Sequence, residues 1–277
     1  MATLDIPTLL SQPDVPPCWI VNGLILQGQA VALAGEPGVG KSILAYTLAL
    51  AVACKLPFLG RPTATGPVLY FDEENSYPDA LEYLRWAWRG LGCPAMEQSG
   101  RLRFEHFSLA GKGALRWDYM QTCADAQRPL LIVIDTATPA CNIQKEEDNA
   151  EASRAIHHLR RVQTVAGPHC ALLILKHAKF THEKGDRRTV RGAKTWEGEL
   201  DALLFHTAAP GGPRKDGLRV SFLEPSKVRA FGLRQTVRIE PSWIATPAGK
   251  GLLLEAPGWA PENSPSGPPG ESHSGEG

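Results

Sequence analysis

The chain has 277 residues, 43% of them apolar and 21% charged, and its 29 basic and 29 acidic groups cancel to a formal charge of zero. This excludes a wholly disordered chain and leaves room for one large or two small domains that fold without staples. A pI near 7.1 also excludes a protein that coats nucleic acid through bulk positive charge, but the average conceals a pattern. Residues 1–177 carry 15 basic against 17 acidic groups, residues 178–234 carry 12 against 7, and residues 235–277 carry 2 against 5.

In chain order, residues 1–18 contain four prolines and little periodicity, so they read as an amino-terminal arm before Trp19-Ile20-Val21-Asn22-Gly23. The start lacks a basic region followed by an apolar one, as a secretory signal would require. Gln29 to Ala34 is a short apolar run, read as a buried strand, and the run from Ile43 to Lys55 forms helix. That greasy stretch is too short to span a bilayer. Pro67 to Phe71 predicts a second strand, Asp79 to Gly90 a helix, and the period-two run Arg101 to Phe107 a strand with one wet face. Pro129 to Ile134 is apolar and β-branched, as in a central parallel strand covered on both faces. Asp148 and Glu151 have capping-box spacing at the head of a helix whose apolar positions run from 152 to 166. Ala171 to Leu175 is another central strand, and three later strands are expected near 201–206, 217–223 and 235–240. From Pro257 the composition is that of a disordered tail, leaving residues 19–256 as the folded body. Strand–helix alternation up to residue 176 predicts an α/β fold: a mostly parallel central sheet flanked by helices, with an antiparallel extension after it. Six unpaired-looking cysteines lack CxxC or zinc spacing, which suits reduced thiols in a cytoplasmic protein without a membrane anchor.

Gly35-Glu36-Pro37-Gly38-Val39-Gly40-Lys41-Ser42 fits the phosphate-binding P-loop, with the strand before it and the helix after it that the chemistry needs. Its glycines let backbone N–H groups point inward at a helix N-terminus, Lys41 would contact the β- and γ-phosphates, and Ser42 would ligate Mg²⁺. Asp135 closes the apolar strand where a second metal anchor belongs, at the carboxyl edge of the sheet. The next residue is Thr136, so the water-activating glutamate that many P-loop ATPases carry there is missing. Asp72-Glu73-Glu74, at the end of the second strand, offers a replacement: a glutamate there can orient and deprotonate a water in line with the γ-phosphate.

This placement resembles the RecA-like ATPases, especially the hexameric replicative helicases of the DnaB and plasmid RepA type. Their apolar-Tyr-apolar-x-x-Glu pattern matches Tyr70 to Glu74 and selects Glu74 as the base, with Glu73 the close alternative. By the same resemblance His177, in Lys176-His177-Ala178-Lys179, senses the γ-phosphate, although Lys176 stands where RepA-type sequences tend to have a second histidine. Ser226-Lys227-Val228-Arg229 resembles the segment whose Lys and Arg reach a neighbouring subunit's ATP, a task suited to a permanent charge with a planar fork. The likeness runs from about Trp19 to about Pro241, and nothing resembles the amino-terminal primase-binding domain of DnaB.

Residues 178–195 lack an apolar period and carry Lys179, Lys184, Arg187, Arg188, Arg191 and Lys194 against Glu183 and Asp186. In RecA-like rings the corresponding loop faces a central channel, where repeated positive charge makes an electrostatic funnel for single-stranded DNA. His177, His182 and Glu183 fit no metal-ligand spacing. The expectation is therefore a Mg²⁺-dependent, ring-forming ATPase, a single-stranded DNA helicase or translocase in plasmid or phage replication. The alternative is a RecA-like regulatory or recombination switch without translocation; a small-molecule kinase would leave Glu74 and the basic segment unexplained.

Overall fold

A computed structural model describes residues 5–13, 16–93, 101–180, 188–190, 194–228 and 232–259, with backbone alone at 9, 179, 180 and 188–190. A short helix α1 (Ile6–Leu10) lies in the arm, and β1 (Trp19–Val21) with β2 (Ile25–Leu26) forms a small hairpin ahead of the main sheet.

The main sheet is built from β3 (Ala30–Gly35), β4 (Val68–Asp72), β5 (Leu102–His106), β6 (Leu131–Asp135), β7 (Ala171–Phe180), β8 (Arg188–Val190), β9 (Ala202–Ala208), β10 (Ser221–Val228), β11 (Val237–Thr246) and β12 (Gly249–Glu255). Spatial order is β12-β11-β10-β9-β3-β7-β6-β4-β5, with β8 paired to β7 off this path. Strands from β9 to β5 are mutually parallel, whereas β9 to β12 form an antiparallel meander. Consecutive residues of β6 alternate between two cores: Leu131 and Val133 join one, Ile132 and Ile134 the other. That two-sided burial is why the strand is apolar throughout. One core is covered by α2 (Lys41–Cys54) and α3 (Tyr77–Gly90), the other by α4 (Arg116–Gln127) and α6 (Asn149–Ala166). Two short helices, α5 (Ala137–Ala140) and α7 (Thr195–Glu199), follow β6 and β8.

The differences from expectation have local causes. Within 178–195, β7 continues to Phe180 and pairs antiparallel with β8, because backbone pairing needs no apolar period; residues 181–187 and 191–193 lie outside the described residues. Helix α4 and strand β12 had no clear pattern; α4 buries only Arg116, Met120, Cys123 and Ala124, a narrow stripe. The capping box at α6 is half formed. Asp148 accepts the N–H groups of Ala150 and Glu151, but Glu151 instead accepts those of Gln144 and Lys145. The body also extends past 256, since Trp259 is buried beneath the Arg61 guanidinium, 4.4 Å from its ring centre; residues 260–277 lie outside the described residues. Among the described residues no helix is long and apolar enough to cross a membrane, and all six cysteines are free thiols.

Candidate active site

Parallel strands all present their carboxyl ends on one edge, and the polar groups gather there. On that edge Gly35 ends β3, flanked in register by His177 on β7 and His206 on β9, while Asp72 on β4 is level with Asp135 on β6. Gly35 has no room for a side chain: a Cβ would lie 2.4 Å from the His206 carbonyl oxygen. The chain then turns through the exposed crown Glu36-Pro37-Gly38, crosses Val39, and enters α2 through Gly40, whose φ of 97° lies in the left-handed region open to glycine. Lys41 is folded back, its Nζ donating to the carbonyls of Gly35 at 3.0 Å and Glu36 at 2.9 Å. Burial pulls its pKa down, opposed by the charges of Glu74, Asp135 and Glu36.

Asp135 is fully buried, and its pKa is pushed up to about 7 by desolvation first and then by the charge of Asp72. Tyr70 donates to its Oδ2 at 2.7 Å, and the approach of the Ser42 hydroxyl works against the rise. Its Oδ1 is sealed from solvent with no hydrogen bond of ordinary geometry among the described residues. A buried carboxylate oxygen without a donor beside a serine hydroxyl is a donor set that a divalent cation satisfies. The N–H groups at the head of α2 with Lys41 similarly fit a phosphate chain. Beside Gly38 and Gly40 opens a cavity of about 180 Å³ lined by Ile43, His206, Leu218 and Pro241 among others.

The three acids after Phe71 take three directions. Asp72 points under the site. Glu73 is buried on the far side, its Oε1 accepting the Leu109 N–H at 2.9 Å, and burial raises its pKa. Glu74 faces the P-loop: its Oε1 is 3.5 Å from Nε2 of His177, and its pKa is lowered chiefly by that hydrogen bond, with Thr136 and Lys41 adding to the effect. Lys41, Ser42, Glu74, Asp135 and His177 are thus brought together.

Lys227 is elsewhere. It pairs with Leu203 near the amino end of β9, away from the edge that carries Gly35, and its Nζ donates at 2.7 Å to each of the Glu197 and Gly198 carbonyls. Arg229, Lys184, Arg187 and Arg191 lie outside the described residues; Lys179 and Arg188 are described as paired backbone, and Lys194 precedes α7. Trp196, the aromatic nearest this basic segment on its carboxyl side, is fully buried with Nζ of Lys176 4.7 Å from its ring centre, so it offers no face to a base.

Three participants, Tyr46, Asn75 and His206, were not singled out from sequence, and a fourth, Tyr70, entered only as part of the pattern that selects Glu74. Tyr46 and Asn75 bond to Asp72, Tyr70 bonds to Asp135, and His206 packs behind Gly40 with its Nε2 2.8 Å from the Ser221 hydroxyl. Burial drives the His206 pKa down to about 3. The one signal for Tyr46 is a hydroxyl in an otherwise greasy helix; for His206 there is none, since its place depends on strand register.

Residues 3–182 match the protein-family model described as AAA domain, so the match spans the P-loop, Glu74, Asp135 and His177 and stops short of β8 to β12. No curated protein matches the chain. Among solved structures, a KaiC-like protein from the hyperthermophilic archaeon Pyrococcus horikoshii OT3 superposes with a TM-score of 0.53 at 16% identity, covering 86% of this chain and 99% of that one. At that identity the likeness concerns the fold, which is the RecA-like arrangement of a parallel sheet between helices.

Proposed function

Because the chain belongs to the AAA domain family, we propose that it is a cytoplasmic, Mg²⁺-dependent ATPase that works as a ring, of six subunits by its RepA-type likeness, moving on single-stranded DNA during plasmid or phage replication. The observation that carries the ATPase assignment is Glu74, held at the mouth of the P-loop by His177 while Thr136 follows Asp135. Glu36 to Gly40 and the head of α2 would surround the phosphates, and Lys41 would exchange the Gly35 and Glu36 carbonyls for phosphate oxygens. Ser42 and Asp135 would hold Mg²⁺, which when bound neutralises charge on the phosphate oxygens. Glu74, kept ionised by its lowered pKa, would accept a proton from the attacking water. His177, bonded to Glu74, would report the presence of the γ-phosphate to that carboxylate.

The DNA reading is supported by connectivity and charge. β7 carries His177 beside the P-loop and continues into the hairpin with β8, in the segment where six basic residues face two acidic ones. One strand therefore links the nucleotide end to a basic element. Lys227 and Arg229, remote from this chain's own P-loop, would face a neighbour's nucleotide, and Lys227 would have to release the α7 carbonyls to do so.

The test is the ATPase rate with and without single-stranded DNA over a salt series, with native mass measured with and without ATP. A motor predicts salt-sensitive stimulation and an ATP-stabilised ring. A flat response with ATP-driven assembly points to the regulatory switch.

A further inference from the structure

Asp72 is fully buried, acts on neither the P-loop crown nor solvent, and has no part in the mechanism above. A carboxylate in that position is costly, the more so beside Asp135, whose pKa it helps to raise. Its bonds show what it holds. Oδ1 accepts the backbone N–H of Glu74 at 3.1 Å and of Asn75 at 3.0 Å, and Nδ2 of Asn75 lies 3.2 Å from each oxygen. Oδ2 accepts the hydroxyl of Tyr46.

Tyr46 lies one turn after Ser42 on α2, so both occupy the same helix face. Its ring stacks on Tyr70 with centroids 4.8 Å apart, and Tyr70 in turn bonds Asp135. One carboxylate thus joins the P-loop helix to the turn that bears Glu74, and the Tyr46–Tyr70 stack and Nδ2 of Asn75, 3.5 Å from Oδ2 of Asp135, extend the set to the strand that ends in Asp135. Glu74 itself is partly exposed; His177 and Thr136 orient its side chain, while Asp72 holds the backbone of the turn it stands on.

We propose that Asp72 is the positioning residue of this site, fixing the Glu74–Asn75 turn to the P-loop helix through Tyr46. The proposal rests on Glu74 being the base. A misplacement of about 1 Å at a reacting group costs about 10²-fold in rate, so the turn's anchor is expected to affect turnover and leave nucleotide binding alone.

The experiment compares Asp72→Ala, Asp72→Asn and Tyr46→Phe in the full chain. It reads ATP turnover, affinity for a fluorescent ATP analogue, and hydrogen exchange of the 74–75 amides. Asp72→Ala is expected to lower kcat about 30-fold or more, with Kd within about threefold and faster exchange of both amides. Asp72→Asn keeps an oxygen acceptor for those amides and is expected to recover most of the rate and the protection. Tyr46→Phe removes one hydroxyl and is expected to lower kcat about fivefold at unchanged Kd. A merely structural Asp72 would raise Kd as it lowers kcat, or leave the asparagine variant as damaged as the alanine one; either result overturns the proposal. If Asp72→Ala does not fold, an unchanged kcat and exchange in Tyr46→Phe overturns it instead. If Glu74→Gln turns over normally the base assignment falls separately, and amide exchange alone then decides whether Asp72 anchors the turn.

Discussion

The parallel half of the sheet and its antiparallel extension are neighbours in one structure and contribute very differently to the site. From β9 to β5 every strand ends on the same edge, so Gly35, Asp72, Asp135, His177 and His206 converge there without any loop reaching across. In the meander from β9 to β12 direction alternates, and beyond β9 it offers that edge chiefly apolar cover and the Ser221 hydroxyl. Direction, more than composition, decides which half carries chemistry. The family match, which ends at residue 182, covers the parallel strands other than β9 and none of the meander beyond it.

Breaking the parallel edge should have the largest consequence. Lys41→Ala removes the P-loop cation and is expected to weaken ATP binding about 100-fold while circular dichroism stays native; equal affinity would remove Lys41 from the site. The seam between the halves comes next. Gly35→Ala puts a Cβ 2.4 Å from backbone of β9, and an overpacking cost of about 1–3 kcal/mol should appear as a lower Tm, whereas Gly198→Ala, with open space around it and no left-handed φ, should change Tm less.

His206 sharpens the comparison through pH. Its folded pKa of about 3 lies below the ordinary value near 6.5, so the unfolded chain takes up a proton first as pH falls. Stability from this group is complete above about pH 6.5 and is lost as pH falls toward 3, by about 2–3 kcal/mol at pH 4.5. Asp135, raised to about 7, acts in the opposite sense, so the informative quantity is the difference between wild type and His206→Gln. That difference should shrink from pH 7.5 to 4.5 in thermal or urea melts; a constant difference would contradict the buried neutral histidine. The smallest effect belongs to Lys227→Ala, which frees two carbonyls at α7 and should cost about 1 kcal/mol with no change in ATP affinity of the single chain.

What could be read from sequence follows contiguity along the chain, not the divide between the two halves. The P-loop, Asp135 and the Asp72-Glu73-Glu74 run sit in contiguous motifs at the ends of apolar strands, where position along the strand brings them to one edge; the choice of Glu74 and the role of His177 came from the family resemblance. Asp72 stood in view beside Glu73 and Glu74, yet its role depends on Tyr46 and Asn75 reaching it across the sheet edge. His206 depends on β9 lying beside β3, a lateral relation that no local pattern encodes. β8 and β12 form because neighbouring backbone is available to pair, and α4 because a narrow stripe around Met120 meets a core already built by β6 and α6. Charge was informative in placing the basic segment after β7, while the strand pairing within it was not foreseen.

The central claim is that the carboxyl edge of the parallel strands hydrolyses ATP with Glu74 as the base. The most direct measurement is single-turnover hydrolysis by Glu74→Gln together with equilibrium binding of ATP and Mg²⁺. The account predicts ATP affinity within about threefold of wild type and hydrolysis slowed by about 10²–10⁴-fold. Hydrolysis at the wild-type rate would contradict it.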